Sequence, residues 1–100
     1  MNRRFVVRRP AEKEIEEALE WYESERPGLG VELAVELEKT FRDLFQRPEA
    51  WPLWRPEYPY RKRPMERFPY VIFYRVTETE VRVLAVAHAK RKPGYWTRRT

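Results

Sequence analysis

Apolar residues along the chain fall into two rhythms, one helical and one extended. Ile15, Ala18, Leu19 and Tyr22 recur at i, i+3, i+4 and i+7, which makes one stripe on a helix. Pro10 suits the first turn of that helix, where its missing N–H costs nothing, and Glu12 and Glu14 favour the positive end of the helix dipole. Glu12, Glu16, Glu20 and Glu23 lie off the stripe as a solvated acidic face, and Pro27-Gly28 supplies the stop and turn. A second helix follows over residues 30–47, with Leu33, Leu37, Phe41, Leu44 and Phe45 as its stripe, Ala34 at its edge and Pro48 at its end. The link between the helices is short enough to force an antiparallel hairpin, and two apolar stripes need a common apolar surface.

That surface is a sheet. Arg4-Phe5-Val6-Val7-Arg8 reads as a first strand with charged ends. Residues 61–67 form a basic strand interrupted by Pro64, which places it at an edge or a bulge. Residues 70–76 and 81–87 are rich in Val, Ile, Phe and Tyr and apolar on both faces, so they belong at the sheet centre, with residues 77–80 joining them. Residues 48–60 hold prolines 48, 52, 56 and 59, which forbid a helix or a central strand. In that loop Trp51, Trp54, Tyr58 and Tyr60 either cover the end of the sheet or form a platform for stacked bases. The predicted order is β–α–α–β–β–β, an α+β fold in which an antiparallel sheet packs on an N-terminal helical hairpin, followed by a tail over residues 90–100. Its core should include Leu19, Leu37, Phe41, Ile72, Phe73 and Leu84.

A two- or four-residue loop at residues 77–80 sets a register in which facing residues have numbers summing to 157, whereas a three-residue loop shifts the register and moves one set to the other face. In the first register Val76 faces Val81, Tyr74 faces Val83, and Pro69 faces His88. Extended further, the ladder sets Arg67 opposite Lys90 on the face of His88, with Arg91 and Tyr95 close behind.

Composition narrows the chemistry. At 100 residues, 42% hydrophobic and 37% charged, the sequence fits one small domain spanning residues 1–100. With no cysteine there is no disulfide framework, Cys-ligated zinc or thiol catalysis, and one histidine rules out a site needing two. Apolar runs are far too short to span a bilayer, so the expectation is a soluble, cytoplasmic protein with no membrane partner. The net charge of +5 is unevenly spread: residues 1–50 carry 9 basic and 12 acidic side chains, residues 51–100 carry 12 and 4. The basic half attracts phosphates or an acidic protein segment.

Arg67, His88, Arg91 and Tyr95 are therefore the candidate catalytic residues, and Arg61, Lys62, Arg63, Lys90 and Lys92 the candidate nucleic-acid contacts. Cleaving RNA needs an acceptor for the 2′-OH proton, a donor for the leaving oxygen and cations around the phosphorane. His88 is the side chain here that moves protons near neutral pH. Three glycines leave no room for a phosphate-cradling loop, and neither a metal-ligand spacing nor a cofactor motif occurs.

Four segments in order and spacing carry a resemblance over nearly the whole chain. They are Glu17-Ala18-Leu19-Glu20-Trp21-Tyr22 with Pro27-Gly28-Leu29-Gly30, Arg67-Phe68-Pro69-Tyr70-Val71-Ile72-Phe73-Tyr74, Val83-Leu84-Ala85-Val86-Ala87-His88, and Arg91-Lys92-Pro93-Gly94-Tyr95-Trp96. The chain resembles the RelE/ParE superfamily of type II toxin–antitoxin toxins, although Leu33 stands where that family often has Phe. The resemblance implies a cognate antitoxin and a toxin–antitoxin hetero-oligomer, and it leaves two growth-arresting targets beside a third alternative, a degenerate member that only binds its antitoxin. RelE-like members cut mRNA on the ribosome with basic residues and a late Tyr or His, as metal-independent endonucleases. ParE-like members poison DNA gyrase without being enzymes and have a long helical hairpin. His88 beside Lys90 and Arg91 leans the sequence reading toward mRNA cleavage.

Overall fold

The computed structural model describes residues 2–99. Thr100, the last residue of the predicted tail, lies outside them. The elements are β1 (Arg4–Val7), α1 (Arg9–Glu25), α2 (Leu29–Gln46), β2 (Tyr60–Pro64), β3 (Tyr70–Val76) and β4 (Glu80–His88), then a short 3-10 turn at Thr97–Arg99. The sheet order is β1-β4-β3-β2. β2, β3 and β4 are antiparallel as expected, but β1 runs parallel to β4, so the sheet is mixed. No turn ties β1 to its neighbour: the helical hairpin carries the chain from β1 across to β2 at the far edge, and β4 comes back beside β1 only after β2 and β3.

A second departure lies in β4. The predicted register holds from Val76↔Val81 to Tyr74↔Val83, then slips by one, so that Phe73 faces Ala85 and Tyr70, not Pro69, faces His88. Leu84 is the extra residue of a β-bulge, which interrupts the ladder and lets two successive side chains share one face. Val81, Val83 and Val86 accordingly pack with the helices, while Leu84, Ala85 and Ala87 belong to a second cluster on the other side. The ladder stops at Tyr70, so Arg67 and Lys90 never pair across it.

On the helical side the core holds Ala11, Ala18, Leu33, Leu37 and Leu44 against Ile72, Tyr74, Val81 and Val83. Leu37, Ile72, Phe73 and Leu84 are buried as predicted, whereas Leu19 and Phe41 are only partly buried. Phe41 spends its ring on Phe5, with centroids 5.1 Å apart. Glu23 is not simply solvated: its carboxylate accepts the Gly28 and Gly30 N–H groups, each at 2.9 Å, and so caps α2 from α1. Gly30 permits this close approach, since a Cβ there would sit 2.9 Å from the Leu19 carbonyl oxygen.

The opposite face is covered by the proline-rich loop and the tail. Trp96 is fully buried, stacked on Phe73 at 4.3 Å and edge-on to Trp54 at 4.8 Å. Tyr60 is buried and Trp54 and Trp51 are partly buried against the two clusters, as the first of the two sequence readings had it, whereas Tyr58 stays exposed and Trp54 keeps one surface open. The loop also shields the β2 edge, with the Lys62 N–H donating to the Pro52 carbonyl at 3.1 Å and the Trp54 N–H to the Tyr60 carbonyl at 2.7 Å. Among the described residues, no helix is long and apolar enough to cross a membrane.

Candidate functional site

The bulge and the tail together build one cluster at the end of the sheet. His88 closes β4, and its ring stands edge-on to Tyr70 with centroids 5.4 Å apart. Its Nδ1 accepts the Lys90 backbone N–H at 3.1 Å, which puts the proton of the neutral imidazole on Nε2. The chain then turns, with the Arg91 N–H donating to the His88 carbonyl at 2.9 Å. Gly94 adopts φ +106, and a Cβ there would meet the Trp54 ring at 3.4 Å, so glycine serves both the turn and the packing.

Beyond that turn Tyr95 comes back against α1. Its hydroxyl donates to Glu14 Oε2 at 2.7 Å, while the Arg91 guanidinium lies 3.4 Å above its ring centroid and that of Arg99 5.0 Å away. Burial pushes the Tyr95 phenol well above its usual pKa, and the hydrogen bond and negative charge of Glu14 push it further. Glu14 also pairs with Arg99 at 3.0 Å and Arg91 at 3.6 Å and accepts the Val86 backbone N–H at 3.0 Å.

Two shallow depressions flank this cluster, and His88 and Arg91 line both. One, of about 180 Å³, lies toward α1 and is completed by Glu14, Trp21, Tyr70 and Tyr95. The other, of about 210 Å³, lies toward β2 and is completed by Trp54, Lys62, Phe73 and Pro93. Its floor is apolar and its rim cationic. Among the described residues, no three His, Asp or Glu side chains gather as metal ligands would.

A family model described as the ParE toxin of the type II toxin–antitoxin system, parDE, matches residues 5–93. The chain belongs to the ParE toxin family. A solved structure described as the chromosomal ParDE TA system from P. aeruginosa matches with a TM-score of 0.77 at 16% identity, covering 88% of this chain and 97% of that one. At that identity the likeness speaks for the fold. No curated protein matches the chain.

For this ParE-family toxin, the predicted site residues divide by the face they occupy. His88, Arg91 and Tyr95 come together, and Lys62 joins His88 and Arg91 across the second depression. Arg67 does not join them: it pairs with Glu32 of α2 at 2.8 Å and lines neither depression. Arg61 donates to the Trp51 carbonyl at 2.6 Å, and Arg63 lies over the Trp51 ring at 4.8 Å while facing Asp43 at 3.6 Å. Both arginines brace the loop instead of presenting charge. Lys90 and Lys92 are exposed. Glu14, which the sequence pattern marks only as a contact to the helix dipole, is the further member of the cluster. The available signal was its spacing: it lies three residues after Ala11 and four before Ala18, both buried, so it shares the inward side of α1.

Proposed function

We propose that this toxin arrests growth by binding its target, DNA gyrase, without cutting RNA, and that a small cognate antitoxin neutralises it in a hetero-oligomer. The observation that carries the reading is the Glu14 carboxylate at the heart of the would-be catalytic cluster. A phosphate approaching Arg91 and Tyr95 meets a negative charge that already engages both. Tyr95, with its raised pKa, is committed as a donor to Glu14 and is a poor acid near neutral pH. Arg67, assigned to the phosphate, is engaged with Glu32. His88 would have to move every proton alone. Inhibition by binding requires none of that chemistry, and the non-enzymatic branch of the superfamily acts on gyrase. An antitoxin follows from family membership, and the basic half of the chain suits an acidic segment that folds as it binds.

Ribosome-dependent mRNA cleavage is the second reading, favoured by the second depression. There His88, Arg91 and Lys62 surround an apolar floor of Trp54 and Phe73, the surroundings that a stacked base requires. Purified toxin incubated with gyrase and relaxed plasmid, and separately with programmed ribosomes, tests both. Lost supercoiling or trapped cleaved DNA with intact mRNA is the expected result. Codon-phased mRNA cuts that vanish in His88→Ala and Arg91→Ala would overturn it.

A further inference from the structure

β1 has four residues and β4 has nine. Their ladder ends at Val7↔Val83, closed by the Arg8 N–H on the Val83 carbonyl at 3.0 Å. The last five residues of β4 therefore have no strand on that side. A buried sheet edge cannot leave its peptide groups unpaired, and two side chains take over. Arg99 Nη1 donates to the Leu84 carbonyl at 3.2 Å, and the Val86 N–H donates to Glu14 Oε1 at 3.0 Å. The two side chains are joined to each other, Nη1 to Oε1, at 3.0 Å.

We propose that Glu14 and Arg99 stand in for the missing length of β1, and that the Glu14 carboxylate is the clasp that seats residues 91–99 on the sheet and positions Arg91. Glu14 is a positioning residue in this role, and the role does not depend on which target the toxin binds. Its two oxygens serve one backbone N–H, one phenol and two guanidinium groups, while only 12% of the side chain is exposed. Charge-assisted bonds in so enclosed a place are the strong kind. The segment has a second, apolar seat where Trp96 stacks on Phe73. Tyr95, adjacent to Trp96 and packed on the same cluster, carries the bond to Glu14, so losing the polar seat loosens both. Without the carboxylate, the Val86 N–H and the Tyr95 hydroxyl lose their acceptor, and Arg91 and Arg99 lose their counter-charge.

The test is limited trypsinolysis of the full chain, read by mass spectrometry, for the wild type, Glu14→Gln and Glu14→Ala. Lys90 and Arg91 lie exposed in the turn before the terminal segment, so cuts after them accelerate when that segment leaves the sheet and can follow them into the protease, whereas cuts after Lys39 and Arg42, inside α2 and away from the substitution, report opening of the helices. In Glu14→Ala the terminal cuts should accelerate about tenfold or more while the helix cuts hold their rate. Sodium formate, a carboxylate small enough for the vacated space, should slow them again where sodium chloride at equal ionic strength does not. Glu14→Gln keeps an acceptor for Val86 but not the charge, and should fall between. Equal terminal cutting in the wild type and Glu14→Ala overturns the proposal. So does an equal rise at every site, or an acceleration that formate leaves untouched.

Discussion

The hydroxyl of Tyr74 tethers the proline-rich loop to the sheet. It is fully buried and donates to the Pro48 carbonyl at 2.7 Å. Burial lifts its pKa from 10.0 to about 12, against the smaller downward pull of Arg61 and Arg63. Tyr74→Phe removes the donor and orphans the carbonyl, which should cost about 1–2 kcal/mol near neutral pH. Alkaline pH reverses the comparison. The folded state raises this pKa, so the neutral phenol contributes its full share below the unfolded value, and that share is lost as pH rises toward the folded one. For a rise of this size the wild type should lose about 1.4 kcal/mol by pH 11 and about 2.3 kcal/mol by pH 12. The Phe variant has no such loss. Its deficit should therefore close near pH 11 and invert by about pH 12. Urea unfolding of both proteins in parallel at stepped pH measures the gap, and the other titrating groups cancel in the difference. A gap that stays constant across that range would refute a buried, neutral Tyr74 donor.

Leu37→Ala should lower the unfolding free energy by about 2–5 kcal/mol in the same assay, as for a core leucine. Trp96→Ala should cost about 3–5 kcal/mol. Trp96→Phe should cost far less by thermal melting, because it keeps the ring on Phe73 and deletes an indole N–H that finds no acceptor. Gly30→Ala should destabilise by about 2 kcal/mol or more, measured by denaturant midpoint, since the new methyl meets the Leu19 carbonyl at 2.9 Å and the helices must part. Arg63→Ala should lower the melting temperature, whereas Lys62→Ala, on the open face of the same strand, should leave it within about 1–2 °C.

The helical hairpin was legible because its apolar periodicity is local: Leu33, Leu37 and Leu44 sit on one face whatever they pack against. The central strands were legible for the same reason. The direction of β1 and the bulge at Leu84 were not, because both are decided by pairing between segments distant in sequence. In the site, the fault in the basic run 61–63 was one of period. Side chains on a strand alternate, so Arg61 and Arg63 turn to the helices and Trp51 while Lys62 faces the other way. Arg67 was aligned by a register that slips before reaching it. Glu14 looked like one of many acids on an acidic helix, and what distinguishes it is the unpaired Val86 N–H that α1 happens to cross.

The bulge in β4 also gives the strand one residue of slack. Before it, odd-numbered side chains (Val81, Val83) turn to the helices; after it, an even-numbered one (Val86) does, and His88, two residues on, keeps that phase. Excising either residue of the doubled pair, Leu84 or Ala85, would restore a regular ladder and leave His88 on the side it now occupies. Excising a residue nearer the strand end would instead turn His88 to the side of Trp96, though every remaining letter was unchanged. In this strand a change in length is absorbed at one place and inverts a surface at another, so aligning such chains by residue identity alone misreads what they present at this end of the sheet.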